Sequence, residues 1–142
     1  MLIGTALTIL IQSSSATMAL TLVMCANGWI GFDIAASMVL GENIGTTITA
    51  NLAAMVANTT AKRAAFAHFL FNLFGVAWVL AIFPFFLGWV GQLSIYLGIG
   101  DPFTNVGSVP VALSLFHTCF NVANVLILIW CIKVIAKLVT HI

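Results

Sequence analysis

Residues Ile11–Leu20 read IQSSSATMAL. Gln12, Ser13, Ser14 and Ser15 set four hydrogen-bonding side chains in a row, inside a chain that is 63% hydrophobic and 5% charged. The flanking arms, Met1–Ile11 and Ala16–Ala26, are apolar runs of roughly 11 residues. Each makes about 16 Å of helix, half a bilayer. Asn27-Gly28 closes the second arm with a turn signal. Two half-bilayer arms around a polar tetrad read as a re-entrant helical hairpin over residues 1–28, with Gln12–Ser15 at a tip deep in the membrane.

Composition sets the class around that hairpin. A soluble domain carries about 25% charged residues. This chain of 142 residues has four Lys or Arg and three Asp or Glu, too few to cover a water-facing surface. Mean hydropathy is +1.22, and apolarity runs the whole length, so a cleaved leader does not explain it. The reading is an all-α integral membrane protein forming one transmembrane domain over residues 1–142, multi-pass in the cell membrane, with the lipid bilayer as its surroundings. A net charge of +1 without a basic patch argues against nucleic acid as a partner. Cys25, Cys119 and Cys131 are scattered and lack metal spacing; no cofactor is expected.

Three further segments follow the hairpin. Ile34–Ala57 is long enough to span, but Gly41-Glu42-Asn43-Ile44-Gly45-Thr46-Thr47 interrupts it. Two glycines and an asparagine weaken a helix, and Thr46 or Thr47 can cap a restarted one. The expectation is a broken helix over residues 33–57. Ala64–Val90 reads as one continuous span, bent at Pro84, and Gly91–Pro110 as a loop. The last span begins at Val111; its apolar run reaches Ile132 and the helix extends to residue 138. Lys62 and Arg63 precede the third segment, and Lys133 and Lys137 follow the fourth. One crossing out and one back place all four on one side, cytoplasmic by the positive-inside rule. The hairpin then dips in from outside.

The third and fourth segments share H-x-x-F-N, as His68–Asn72 and His117–Asn121. The i, i+4 spacing puts His and Asn on one face. The two helices run in opposite directions, the relation found in inverted-topology repeats of transporters. The architecture read here is therefore an inverted-repeat transporter half. His68 and His117 are expected to hydrogen-bond to neighbouring helices rather than relay protons. The tryptophans are expected as interface anchors and packing.

Irregular backbone at membrane depth survives only where protein or a watery cavity satisfies it. The two polar stretches therefore read as one site. Ser13, Ser14, Ser15, Thr46, Thr47 and Thr49 offer hydroxyls; Gln12 and Asn43 offer amides. No Lys or Arg lies near either stretch. An anion held there would rest on neutral donors and helix ends, and a co-bound cation would supply the missing charge. Isolated Ser or Thr in membrane helices usually bond back to their own helix; a Gln and three Ser together favour a site. Glu42 is the one carboxylate within an expected span, a functional candidate for that reason. Asn72 is a further candidate because it falls deep in its span.

At these residues the chain resembles the type II sodium/phosphate cotransporter family. Bacterial members carry QSSSA, then G-x-NIGTT, then A-H-x-x-F-N, in the order of Gln12–Ala16, Gly41–Thr47 and Ala67–Asn72 here. The likeness covers at least Gly4–Gly75, and His117–Asn121 fits a second stretch of the last type. The resemblance implies a sodium-coupled secondary transporter importing inorganic phosphate, in the bacterial inner membrane. Gln12, Ser13, Ser14 and Ser15 become ligands of phosphate and sodium, with Asn43, Thr46 and Thr47 lining the same site. Sodium falls to Gln12, Ser13, Ser15 and Thr47. Glu42 departs from the small residue often found at its position. The family has two QSSS and two NIGTT segments, and one of each is present. The expectation is a fragment or shortened relative, or two copies pairing in opposite orientation, so that a second QSSS/NIGTT half completes the site.

Other readings are a non-transporting assembly subunit, or a transporter of another small anion such as sulfate, which neutral donors would also accept. An intramembrane serine enzyme is disfavoured: Ser13–Ser15 and His68 lie on different elements, and no acid orients His68.

Overall fold

The computed structural model describes residues 1–140; the last two positions of the domain expected over 1–142 lie outside them. The described residues fold as seven α-helices: α1 (Leu2–Ile11), α2 (Ser14–Ala26), α3 (Phe32–Ala54), α4 (Thr59–Ala81), α5 (Phe83–Tyr96), α6 (Val109–Leu128) and α7 (Ile132–Thr140), with short 3₁₀ turns at Val106–Ser108 and Ile129–Cys131. Helix α3 is the central post, packed against α1, α2, α4 and α6.

Over the first 26 residues the chain folds as α1, a two-residue turn and α2. The break expected within residues 33–57 is absent. Helix α3 runs unbroken from Phe32 to Ala54, and Thr46 and Thr47 cap nothing; they lie in its interior. Gly41 and Gly45 serve another purpose. One turn apart, they form a furrow into which the backbone of α1 settles, as small residues do where membrane helices approach closely. A Cβ on Gly41 would lie 2.9 Å from the Thr5 nitrogen, and one on Gly45 2.8 Å from the Thr5 carbonyl oxygen. On the facing helix, a Cβ on Gly4 would lie 3.0 Å from the Met38 Cα. Thr5 seals the seam, its hydroxyl donating to the Gly41 carbonyl at 2.9 Å. The helical cost of each glycine, about 1 kcal/mol against alanine, is offset by this approach.

The single span expected over Ala64–Val90 is two helices. Helix α4 ends at Ala81, Ile82 turns the chain, and Pro84 sits in the first turn of α5, where its missing N–H costs nothing. Pro110 stands likewise in the first turn of α6. Helix α5 continues to Tyr96, so the expected Gly91–Pro110 loop shortens at its front. There Asp101 accepts from the Phe103 N–H and the Thr104 hydroxyl, the turn chemistry of an aspartate. Asn58 caps α4 by accepting from the Ala61 N–H at 2.9 Å. An aromatic cluster ties the ends of α3, α5 and α6: Phe116 stands edge-on to Phe32, Phe83 and Phe86.

Two stretches are long and apolar enough to cross a membrane, Thr59–Ala81 and Val106–Thr140. Their outer faces are apolar: Leu73 is 45% exposed, Leu126 63% and Trp130 88%, a surface fit for lipid or an apolar partner rather than water. All four basic residues gather at one end. Helix α7 packs on α4, and the Arg63 guanidinium donates to the Thr140 carbonyl at 3.0 Å.

Gly41→Ala and Gly45→Ala are expected to lower stability by about 1–3 kcal/mol each, because backbone cannot yield to the added methyl. A Cβ on Gly88 meets nothing within 4 Å, so Gly88→Ala should leave stability unchanged or raise it by up to about 1 kcal/mol. Thermal unfolding in detergent micelles followed by circular dichroism reads both; equal effects at the three positions would refute the furrow.

Candidate functional site

Helix α1 ends at Ile11 because Gln12 adopts the left-handed conformation (φ 55, ψ 26), its N–H bonding back to the Thr8 carbonyl at 2.8 Å. It is the one non-glycine residue with positive φ among the described residues. Ser13 is extended and starts α2 as its N-cap, its hydroxyl accepting from the Ala16 N–H at 3.3 Å. The Ser13 and Ser15 hydroxyls lie 3.2 Å apart. Gln12, Ser14 and Ser15 are exposed and Ser13 is half-buried.

This tip joins two opposite helix ends. The last carbonyls of α1 and the first N–H groups of α2 both lack intrahelical partners. Their partial charges are negative and positive respectively. One turn of chain therefore offers carbonyl and hydroxyl oxygens to a cation, and N–H and hydroxyl donors to an anion.

The tip lies beside the middle motif without bonding to it. Met1 and Thr5 meet Gly41, and Thr8 meets Gly45, so α1 and α3 run in the same direction. Helical rise puts Gln12 about one turn further on, at the level of Thr46–Thr49. Among the described residues, no hydrogen bond joins Gln12–Ser15 to Asn43, Thr46, Thr47 or Thr49. Those threonines return their protons to their own helix. Thr46 donates to the Glu42 carbonyl, Thr47 to that of Ile44 and Thr49 to that of Thr46, at 2.8–2.9 Å. Thr47 is fully buried, and the Asn43 amide nitrogen is buried without a partner. Asn72 is buried on α4 and donates to the His68 carbonyl at 3.0 Å. Asn121 repeats that bond to His117 at 2.8 Å, so the two H-x-x-F-N segments share one local geometry. Neither imidazole has a hydrogen bond among the described residues, contrary to expectation.

Thr8, Thr17, Thr21, Ser94, Ser108 and Asn124 are buried polar residues not singled out in the sequence. Thr17 and Thr21 are fully buried on α2, and Thr21 bonds the Glu42 carboxyl at 2.7 Å. Their signal is spacing: Ser13, Thr17, Thr21 and Cys25 recur every four residues on an otherwise apolar helix. Asn124 accepts from the Trp78 indole N–H at 3.3 Å and donates to the Phe71 carbonyl at 3.1 Å. Trp78 is thereby an internal tie between α4 and α6 rather than an interface anchor. Two open grooves, of about 530 and 580 Å³, flank the start of α4 and include none of the tip residues.

A family described as Na+/Pi-cotransporter matches residues 1–118. The chain belongs to that family. It is 46% identical over 94 residues to "Uncharacterized protein YqeW" of Bacillus subtilis, covering 66% of this chain and 31% of that protein. It is 35% identical over 94 residues to "Putative inorganic phosphate export protein YjbB" of Escherichia coli K12, covering 66% of this chain and 17% of that protein. It is 42% identical over 79 residues to human "Sodium-dependent phosphate transport protein 2C", covering 53% of this chain and 13% of that protein. The chain thus spans a third or less of the length of these relatives. No solved structure matches it.

Gln12→Gly should preserve the turn, since glycine takes positive φ freely. Gln12→Val places a β-branched residue there and should destabilise by about 1–2 kcal/mol. Melting curves of the two variants in one detergent compare them directly; equal stability would mean that the left-handed turn is not held.

Proposed function

We propose that the chain is half of a sodium-coupled secondary transporter that imports inorganic phosphate, acting as a multi-pass protein of the cell membrane, in bacteria the inner membrane. The observation that carries this reading is the tip, where the free N–H groups of α2 and the free carbonyls of α1 meet beside three serine hydroxyls. Phosphate takes the donors of Ser13, Ser14, Ser15 and Gln12. Sodium takes oxygens from Gln12, Ser13, Ser15 and Thr47, supplying the positive charge that no nearby Lys or Arg provides. Asn43, Thr46 and, with less support, Thr49 and Asn72 line the approach.

The family membership supports phosphate as the substrate, and the human relative's name supports sodium. Exposure of Gln12, Ser14 and Ser15 supports a site awaiting a second QSSS/NIGTT half, from the same full-length polypeptide or a second copy. In that assembly α1 and α2 form a re-entrant hairpin and the halves are related as inverted repeats. The Escherichia coli relative is named for export, which makes direction the open alternative. A downhill inward sodium gradient favours import.

Reconstitution into vesicles with labelled phosphate tests the reading. Uptake should follow an imposed inward sodium gradient and stop when choline replaces sodium. Sodium-independent uptake would sink the coupling, and movement only outward would reverse the direction. Ser14→Ala should reduce uptake by about tenfold, the loss of one hydrogen bond to a charged ligand. Ser37→Ala removes a hydroxyl that donates to the Ile34 carbonyl and accepts from the Met1 amino group at 3.5 Å, away from the tip, and should change uptake by less than about twofold.

A further inference from the structure

The buried carboxyl of Glu42 has no place in the neutral-donor site at the tip. Glu42 is 3% exposed. Its Oε1 lies 2.7 Å from the Thr21 hydroxyl oxygen, and its Oε2 is buried with no partner. No cation bonds either oxygen among the described residues. The same Thr21 hydroxyl lies 3.1 Å from the Thr17 carbonyl.

These distances raise a question of proton number. A hydroxyl carries one proton, and a carbonyl can only accept. If Thr21 gives its proton to Thr17, as serine and threonine commonly do within a helix, the short contact with Glu42 holds no proton unless the carboxyl brings one. An ionised Glu42 would compete with the Thr17 carbonyl for a single proton and keep a bare charge in the interior, at high cost. A protonated Glu42 resolves both: it donates to Thr21, and Thr21 donates to Thr17.

The same hydroxyl-to-carbonyl bond repeats one turn nearer the tip. Thr17 donates to the Ser13 carbonyl at 3.0 Å, and Ser13 is the cap of α2. A cluster of one carboxylate, a hydroxyl and a backbone carbonyl is also the oxygen-rich set that hard cations take. The titratable groups on helices packed against α3 are Cys25 on α2, Lys62, Arg63 and His68 on α4, and His117 and Cys119 on α6. At the start of α1 stands the Met1 amino group, 3.5 Å from Ser37, and α3 itself carries Asp33.

We propose that Glu42 is a monovalent-cation site, separate from the tip serines, which holds a proton in this conformation and exchanges it for sodium. The exchange releases one proton from the carboxyl to water as one sodium ion binds the carboxylate, so charge balances. Protonation is argued from the burial and the shared Thr21 proton; the exchange rests on the sodium reading above.

Infrared spectroscopy of the full chain in sodium-free detergent solution tests both parts. A carboxylic-acid C=O band is expected at neutral pH. The chain has three Asp or Glu residues in total, so the band should persist in the Asp33→Asn/Asp101→Asn double variant and vanish in Glu42→Gln. The double variant leaves Glu42 untouched, so assignment does not depend on Glu42→Gln folding. Thr21→Val should shift the band without removing it. Sodium chloride should remove it and choline chloride should not, and the sodium midpoint should rise about tenfold for each unit of pH lowered, by linkage of one-for-one exchange. A missing band at neutral pH, or one lost in the double variant, overturns the protonated Glu42. A band indifferent to sodium, or a midpoint indifferent to pH, overturns the exchange. Failed phosphate uptake with the band and its sodium response intact counts against the transport reading alone.

Discussion

The contact between the backbones of α1 and α3 fixes the rest of the molecule. A ten-residue helix is too short to be stable by itself in water, and α1 has no side-chain cap. What holds it is the furrow of Gly41 and Gly45, opposed by Gly4 and sealed by the Thr5 hydroxyl. Because the approach is at backbone level, a shift along the seam would drive a carbonyl against a Cβ. The tip is therefore set at one height on α3, and the opposed ends of α1 and α2 are set with it.

The two short helices and the turn between them were legible in the sequence because arm length and polar tetrad pointed the same way. The interior of α3 was misread because glycine beside asparagine and threonine has two meanings in an apolar segment. It weakens a helix alone, and it lets another helix come close. The i, i+4 spacing of Gly41 and Gly45 was the clue to the second, but the residue filling the furrow is far away in sequence. Pro84 was ambiguous in a similar way: within a helix it bends, in a first turn it starts one. The candidate site divides along the same line. Gln12 and Ser13–Ser15 are defined by neighbours in the chain, so their turn and cap could be anticipated. The buried partners Thr17, Thr21 and Asn124 depend on which helix faces which.

The polar groups of the molecule sort into two kinds. Thr46, Thr47, Thr49 and Ser37 return their protons to their own helix and keep only oxygen lone pairs to offer. Gln12 on the turn and Ser14 and Ser15 at the start of α2 make no such bond to a carbonyl of their own helix among the described residues. Glu42 belongs to neither group, since its one bond crosses from α3 to α2 and its second oxygen has none. Residue type alone does not separate these cases; the position of the backbone relative to each side chain does.

The furrow also bears on how the protein is made. Helix α3 is not among the stretches apolar enough to cross a membrane unaided, yet its most polar side chain, Glu42, is covered by α2, and its glycines are covered by α1. A nascent α3 reaching the insertion machinery alone would expose that carboxyl and a bare strip of backbone to lipid. Arriving with the hairpin already folded against it, α3 presents mainly hydrocarbon. Residues Met1–Ala54 thus form one packing unit in which the hairpin, earlier in the chain than α3, covers the carboxyl and the glycines that α3 alone would leave bare.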